Sequence, residues 1–145
     1  MKLKLISVGI MVVMALSLLA CSSASQDSVS WEVPIDNFMN QQHIIDQIEV
    51  PVGNTLTVIL GSNPTTGFRW DEEAQISDIG VLEQVQHEFI GPESEPPPPP
   101  GTPGQEVWTF KALKEGAAIV SLEYSRPWEG GEKGEWTYNL AVTVK

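Results

Sequence analysis

From Val29 to Val144 the chain repeats one pattern: short runs in which apolar and polar residues alternate, each closed by a turn signal. A period of two belongs to half-buried β-strands, so this stretch can fold only by burying one face of a sheet against another layer. Val29, Trp31 and Val33 alternate with polar neighbours, and Ile44 to Val50 forms a second apolar stretch ended by Pro51-Val52-Gly53-Asn54. Thr55 to Leu60 is rich in β-branched residues, and Gly67 to Asp71 places Phe68 and Trp70 on one face, where core packing is expected for both. In Val81 to Ile90, strict alternation sets Val81, Glu83, Val85, His87 and Phe89 against Leu82, Gln84, Gln86, Glu88 and Ile90. Glu106 to Leu113 sets Val107, Thr109 and Lys111 against Trp108, Phe110 and Ala112, and Ala117 to Tyr124 and Trp136 to Val144 complete the set. About eight strands, with turns every roughly 8 to 15 residues, predict an all-β sandwich or barrel with little helix.

The N-terminus does not belong to that pattern. Lys2 and Lys4 precede an apolar run of 16 residues, Leu5 to Ala20, which is too short for a membrane span. It ends in Leu18-Leu19-Ala20-Cys21, which resembles the lipobox of prokaryotic lipoproteins. The resemblance implies a signal peptide at residues 1–20, cleavage before Cys21, and a diacylglycerol on its sulfur. Export across the cytoplasmic membrane would then leave the protein lipid-anchored on the extracytoplasmic side of the cell membrane or outer membrane. Residues 21–28, small and polar, are expected to form a flexible tether, and residues 29–145 form one domain.

Cys21 is the only cysteine, so the domain has neither a disulfide nor a thiol nucleophile. Removing residues 1–20 leaves 6 basic against 19 acidic residues, a net charge of −13, which argues against nucleic acid as a partner. His43 and His87, the only histidines, stand apart from any nucleophile or metal-ligand motif, so no enzyme activity, metal or cofactor is expected. Nothing points to oligomerisation, and a monomer is expected.

Three connections between strands carry stiff residues. Asn63-Pro64-Thr65-Thr66-Gly67-Phe68 combines a proline, a glycine able to take positive φ, and two small β-branched residues that would expose hydroxyls without bulk. Pro96 to Pro100 is a polyproline run, expected to be extended, followed by Gly101-Thr102-Pro103-Gly104. Arg126-Pro127-Trp128 places the two residue types most enriched at binding hot spots on either side of a proline, and Gly130, Gly131 and Gly134 suggest a mobile remainder. If successive strands from Thr55 onward reverse direction, these three connections share one end of the sandwich.

At these residues the chain resembles chagasin and its relatives, inhibitors of papain-like cysteine peptidases. Asn63 to Phe68 matches the family's first loop motif throughout, and Arg126-Pro127-Trp128 matches the third. Gly101 to Gly104 matches the middle motif in part, with Pro103 where a glycine is expected. The resemblance implies an immunoglobulin-like antiparallel β-sandwich of about seven or eight strands. It also implies that the three loops plug the active-site cleft of a protease of papain or cathepsin L type. Thr65 and Thr66 would then sit beside the catalytic pair, Trp128 on the primed side with Arg126 supporting it, and Gly101 to Gly104 along the non-primed subsites. Asn63, Pro64, Gly67 and Pro127 complete the implied contact set. A different reading of the same loops is an immunoglobulin-like lipoprotein module for adhesion or ligand binding.

Overall fold

The computed structural model describes residues 27–93 and 96–145; the signal-peptide and lipobox readings fall on residues outside this range. Nine strands follow in order: β1 (Ser28–Val33), β2 (His43–Val50), β3 (Thr55–Ser62), β4 (Arg69–Trp70), β5 (Gln75–Ile76), β6 (Leu82–Ile90), β7 (Gly104–Ala112), β8 (Gly116–Ser125) and β9 (Trp136–Val144). One short helix, α1 (Ile35–Asn40), joins β1 to β2, and a single 3-10 turn spans Pro64–Thr66. One sheet has the order β1-β3-β7-β6; the other has β2-β9-β8-β4, with β5 also paired to β8.

The alternation read in the sequence is the inside-outside pattern of the sandwich. Leu56, Val58 and Leu60 of β3 are fully buried, as are Trp108 and Phe110 of β7. They face Val120 and Leu122 of β8 and Tyr138, Leu140 and Val142 of β9 across the interior. Phe68 and Trp70 join this core, and Tyr124 packs against both at ring-centroid distances of 5.5 and 4.9 Å. Trp31 Nε1 and Tyr138 Oη each donate to Asp46 Oδ2 at 3.2 Å. Burial, then the charge of Asp46, pushes the Tyr138 phenol well above its ordinary pKa.

The sheets are mixed where an antiparallel sandwich was expected. β1 pairs parallel with β3 and β2 parallel with β9, while the other pairings are antiparallel. The strands still reverse direction at every step along the chain except from β4 to β5. A parallel pair arises because β1 and β3 lie side by side in one sheet while β2, between them in sequence, crosses to the other. β5, not foreseen as a strand, runs along β8 in the same direction as β4 and so leaves the alternation of directions intact.

In β6 the expected faces are broken. A β-bulge between Gln84 and Gln86 leaves Val85 57% exposed, and alternation resumes with His87 opposite Trp108. His87 thereby turns toward Glu106, which is only 4% exposed on the inward face of β7. Glu106 Oε1 accepts hydrogen bonds from the Ser62 hydroxyl at 2.7 Å and the Trp70 amide at 3.3 Å. Its Oε2 lies 3.0 Å from His87 Nε2. One side chain thus ties β3, β4 and β6 to β7, across both sheets.

Replacing Glu106 with Ala would leave the Ser62 hydroxyl and the Trp70 amide facing the interior without this acceptor. The variant is expected to lose about 2–3 kcal/mol of stability, measured as a lower urea midpoint at unchanged m value.

Candidate functional site

Because directions alternate, four connections lie at one end: 34–42, 63–68, 91–103 and 126–135. Three of them carry the motifs singled out in the sequence, and hydrogen bonds join those three. Asn63 is the hub. Its amide donates to the Tyr124 hydroxyl at 2.9 Å, which hangs the start of the first loop from β8. Its Nδ2 donates 2.9 Å to the Gly101 carbonyl and so holds the middle loop against the first. Its Oδ1 accepts the Thr65 hydroxyl at 2.6 Å, and its carbonyl accepts the Thr66 amide at 3.1 Å and the Thr66 hydroxyl at 2.7 Å.

Both threonine hydroxyl hydrogens are therefore committed inside the loop, where the sequence suggested that they would be offered outward. Thr65 and Thr66 are exposed at the tip, and their hydroxyl oxygens keep only acceptor capacity for a partner. The tip is also not extended. Gly67 donates its amide to the Pro64 carbonyl at 3.0 Å, closing the 3-10 turn, and itself takes φ +82°.

Gly67 has a second reason to be glycine. A Cβ there would lie 2.5 Å from Cη2 of Trp128, so the indole rests on the bare backbone of the first loop. Trp128 nevertheless remains 52% exposed. It is folded back at its edge and offered to solvent on its outer face. The Arg126 guanidinium lies 4.5 Å from the centre of the Phe68 ring and 6.0 Å from that of Trp128. Its Nη2 donates 3.3 Å to the Thr66 carbonyl, and its Nη1 donates 2.8 Å to Glu132 Oε2.

The glycine-rich remainder of the third loop is extensively hydrogen-bonded. The amide of Arg126 donates to the Glu132 carbonyl at 2.8 Å, that of Gly131 to the Trp128 carbonyl at 3.1 Å, and that of Gly134 to the Ser125 hydroxyl at 2.8 Å. Lys133 Nζ donates to the carbonyls of Arg126 and Trp128. A backbone hydrogen bond, then the one from Arg126, holds the Glu132 carboxyl below the usual carboxylate range. Glu132, Lys133 and Tyr124 were not foreseen as part of the site. The sequence offers no motif for the first two, and Tyr124 looks like any alternating strand residue.

In the middle loop the polyproline run ends in a turn. Thr102 donates both its amide (3.2 Å) and its hydroxyl (2.7 Å) to the Pro99 carbonyl, with Pro100 and Gly101 between them and Gly101 at φ +88°. Proline followed by a residue at positive φ is the signature of a type II turn. Gly101 and Pro103 are exposed, Thr102 is half-buried, and Pro127 is exposed in the third loop. Gly104 is different: it opens β7, is buried, and a Cβ there would meet the Phe89 ring and the Ile90 carbonyl at under 3.0 Å. Its position serves the close approach of β6.

The two histidines stand apart from these loops, His87 against Glu106 and His43 with Nδ1 2.9 Å from the Thr137 hydroxyl. Among the described residues no group of three or more His, Cys, Asp or Glu is placed to hold a metal ion. A sandwich that gathers three internally braced loops at one end is a loop-presenting binding protein. The family model for chagasin family peptidase inhibitors (I42) matches residues 49–142. The chain belongs to that family.

Its relatives are consistent with this. Chagasin of Trypanosoma cruzi is 33% identical over 85 residues, covering 57% of this chain and 74% of its own. Amoebiasin-2 of Entamoeba histolytica is 26% identical over 98 residues, covering 68% and 76%. In fold, the cysteine protease inhibitor EhICP2 from Entamoeba histolytica superposes with a TM-score of 0.60 at 20% identity, covering 81% of this chain and 97% of its own. PbICP-C, in a structure with falcipain-2, gives 0.58 at 18% identity, covering 81% and 99%.

Gly67→Ala tests the contact between the first and third loops. Positive φ alone is expected to cost about 1 kcal/mol of folding stability. The added methyl displaces Trp128, so the indole proton resonance of Trp128 is expected to shift while those of the buried Trp70 and Trp108 stay in place.

Proposed function

We propose that this protein is a reversible, competitive, non-covalent inhibitor of papain-like cysteine proteases. The supporting observation is the convergence of Asn63–Gly67, Gly101–Pro103 and Arg126–Trp128 at one end, each loop hydrogen-bonded to itself or to its neighbour. Such loops have little conformational freedom left to lose on binding, so an interface of standard size, about 1,600 Å², is sufficient for tight association.

The hydrogen bonds at the tip also account for resistance to cleavage. A papain-like enzyme needs an extended peptide whose carbonyl points at its thiolate and oxyanion donors. Here the carbonyls of Asn63, Pro64 and Thr66 accept hydrogen bonds from Thr66, Gly67 and Arg126 within the loops. With Thr65 and Thr66 in the cleft, the catalytic cysteine meets a compact helical turn and methyl groups. Trp128, braced by Gly67 on one side and open on the other, supplies an aromatic face to the enzyme, and the turn at Gly101 lies along the cleft beside it.

The test is a steady-state assay of papain and a cathepsin L-type enzyme against the domain from Ser28 onward. Competitive inhibition is expected, with the inhibitor recovered intact. Trp128→Ala is expected to weaken binding by about 2–4 kcal/mol with little change in folding. Absence of inhibition at micromolar concentration across several such enzymes would reject the proposal.

We propose further that the protein acts as a monomer tethered through a lipidated Cys21. Lys2, Lys4, the apolar run to Ala20 and the small residues after Cys21 support this. The start of β1 supports a direction for such a tether. β1 begins at the end opposite the loops, where Ser28 pairs with Thr55. The seven Cα-to-Cα steps from Cys21 to Ser28 reach about 25 Å at most, so that end would face the lipid and the loops would point away from it. Metabolic labelling with radioactive palmitate is expected to label the wild type and not Cys21→Ser; no label on the wild type would reject the anchor.

A further inference from the structure

The fourth connection at the loop end, residues 34–42, matches no motif in the sequence and lies outside the span matched by the family model. It reaches this end because β1 runs parallel to β3 and stops beside Leu60. Its helix α1 is fastened from below. Phe38 is 6% exposed, packs 5.0 Å from the Trp70 ring, and accepts the Trp136 Nε1–H on its carbonyl at 3.0 Å. Ile35 lies so close to Gly61 that a Cβ there would come within 2.4 Å of its amide nitrogen. Met39, the next residue after Phe38, is 81% exposed.

Between α1 and the loops runs a groove of about 840 Å³. Phe38 and Met39 line it on the helix side, and Thr66, Phe68 and Arg126 on the loop side, with Trp136 among its walls. Thr66 and Arg126 therefore belong to two surfaces at once: the wedge of the proposed inhibitory reading and the wall of this groove. A protease seated on Thr65, Thr66 and Trp128 must overhang the groove mouth.

We infer that α1 is a fourth element of the binding edge, and that the groove receives an apolar side chain from the rim of the protease cleft. The inference rests on the inhibitory reading above. Aromatic walls and a flexible thioether at the lip suit an apolar side chain of variable shape. Continuity with the wedge selects the protease as the occupant, since the same bound molecule covers both. α1 then adds contact area beside the three motif loops, and differences among rim residues would become differences in selectivity.

The test compares wild type with Met39→Asp against papain and a cathepsin L-type enzyme. Met39 is exposed, so the variant is expected to keep its unfolding midpoint. Its inhibition constant is expected to rise tenfold or more for at least one of the two enzymes, mainly through faster dissociation. A benzophenone amino acid at position 39 is expected to cross-link to the bound protease, while the same group at position 119, on the outer face of β8, is not. Strong inhibition by wild type, with Met39→Asp within twofold of it on both enzymes and no cross-link from position 39, would overturn this inference and leave the inhibitory reading standing. No inhibition by wild type would overturn both.

Discussion

The carboxyl group of Glu106 sets a constraint that the loop end of the molecule must satisfy. A carboxyl group sealed in a hydrophobic sandwich is tolerated only when its oxygens are hydrogen-bonded. Ser62, the Trp70 amide and His87 meet that need. In doing so they fix the end of β3 and β4, the two strands that flank the first loop. Asn63 follows Ser62 directly, so its position is set from beneath before it makes any contact of its own. From there its amide, side-chain amide and carbonyls bind Tyr124, Gly101, Thr65 and Thr66. The order of dependence runs from buried carboxyl to strand end to loop hub to exposed tip.

Stiffness at the tip comes from the loops bracing one another more than from the prolines alone. Pro64 and Pro127 limit their own φ angles, but they cannot hold one loop against another. That is done by Trp128 lying on Gly67, by Arg126 reaching the Thr66 carbonyl, and by Asn63 holding Gly101. Each of these contacts joins residues distant in sequence and absorbs a backbone group that would otherwise face solvent or an enzyme. The consequence for function is that the surface is assembled before binding, and that the carbonyls of Asn63, Pro64, Thr66 and Gly101 are occupied.

Much of this was legible in the residues themselves. Alternation in Thr55 to Leu60 and in Glu106 to Leu113 identified the buried faces, because a strand with a period of two has only two faces to assign. In β6 the same logic failed after Gln84, since one bulged residue exchanges the faces and leaves no mark in the sequence. Helix α1 was missed for a similar reason: six residues are too few for a period of 3.6 to stand out, and the helix is held by tertiary contacts of Phe38 and Trp136.

The sequence by itself determined the all-β class, the absence of a disulfide, and the three loop motifs with their order. Those properties depend on local chemistry: side-chain periodicity, the φ limits of proline and glycine, and the number of cysteines. Only the tertiary structure decided which hydroxyls the tip offers, how Trp128 divides between packing and exposure, and that residues 34–42 join the same edge. These depend on hydrogen bonds and contacts between segments far apart in sequence, such as Trp136 with Phe38, 98 positions away. No local pattern encodes such a pairing, because it exists only once the strands have taken their order and direction.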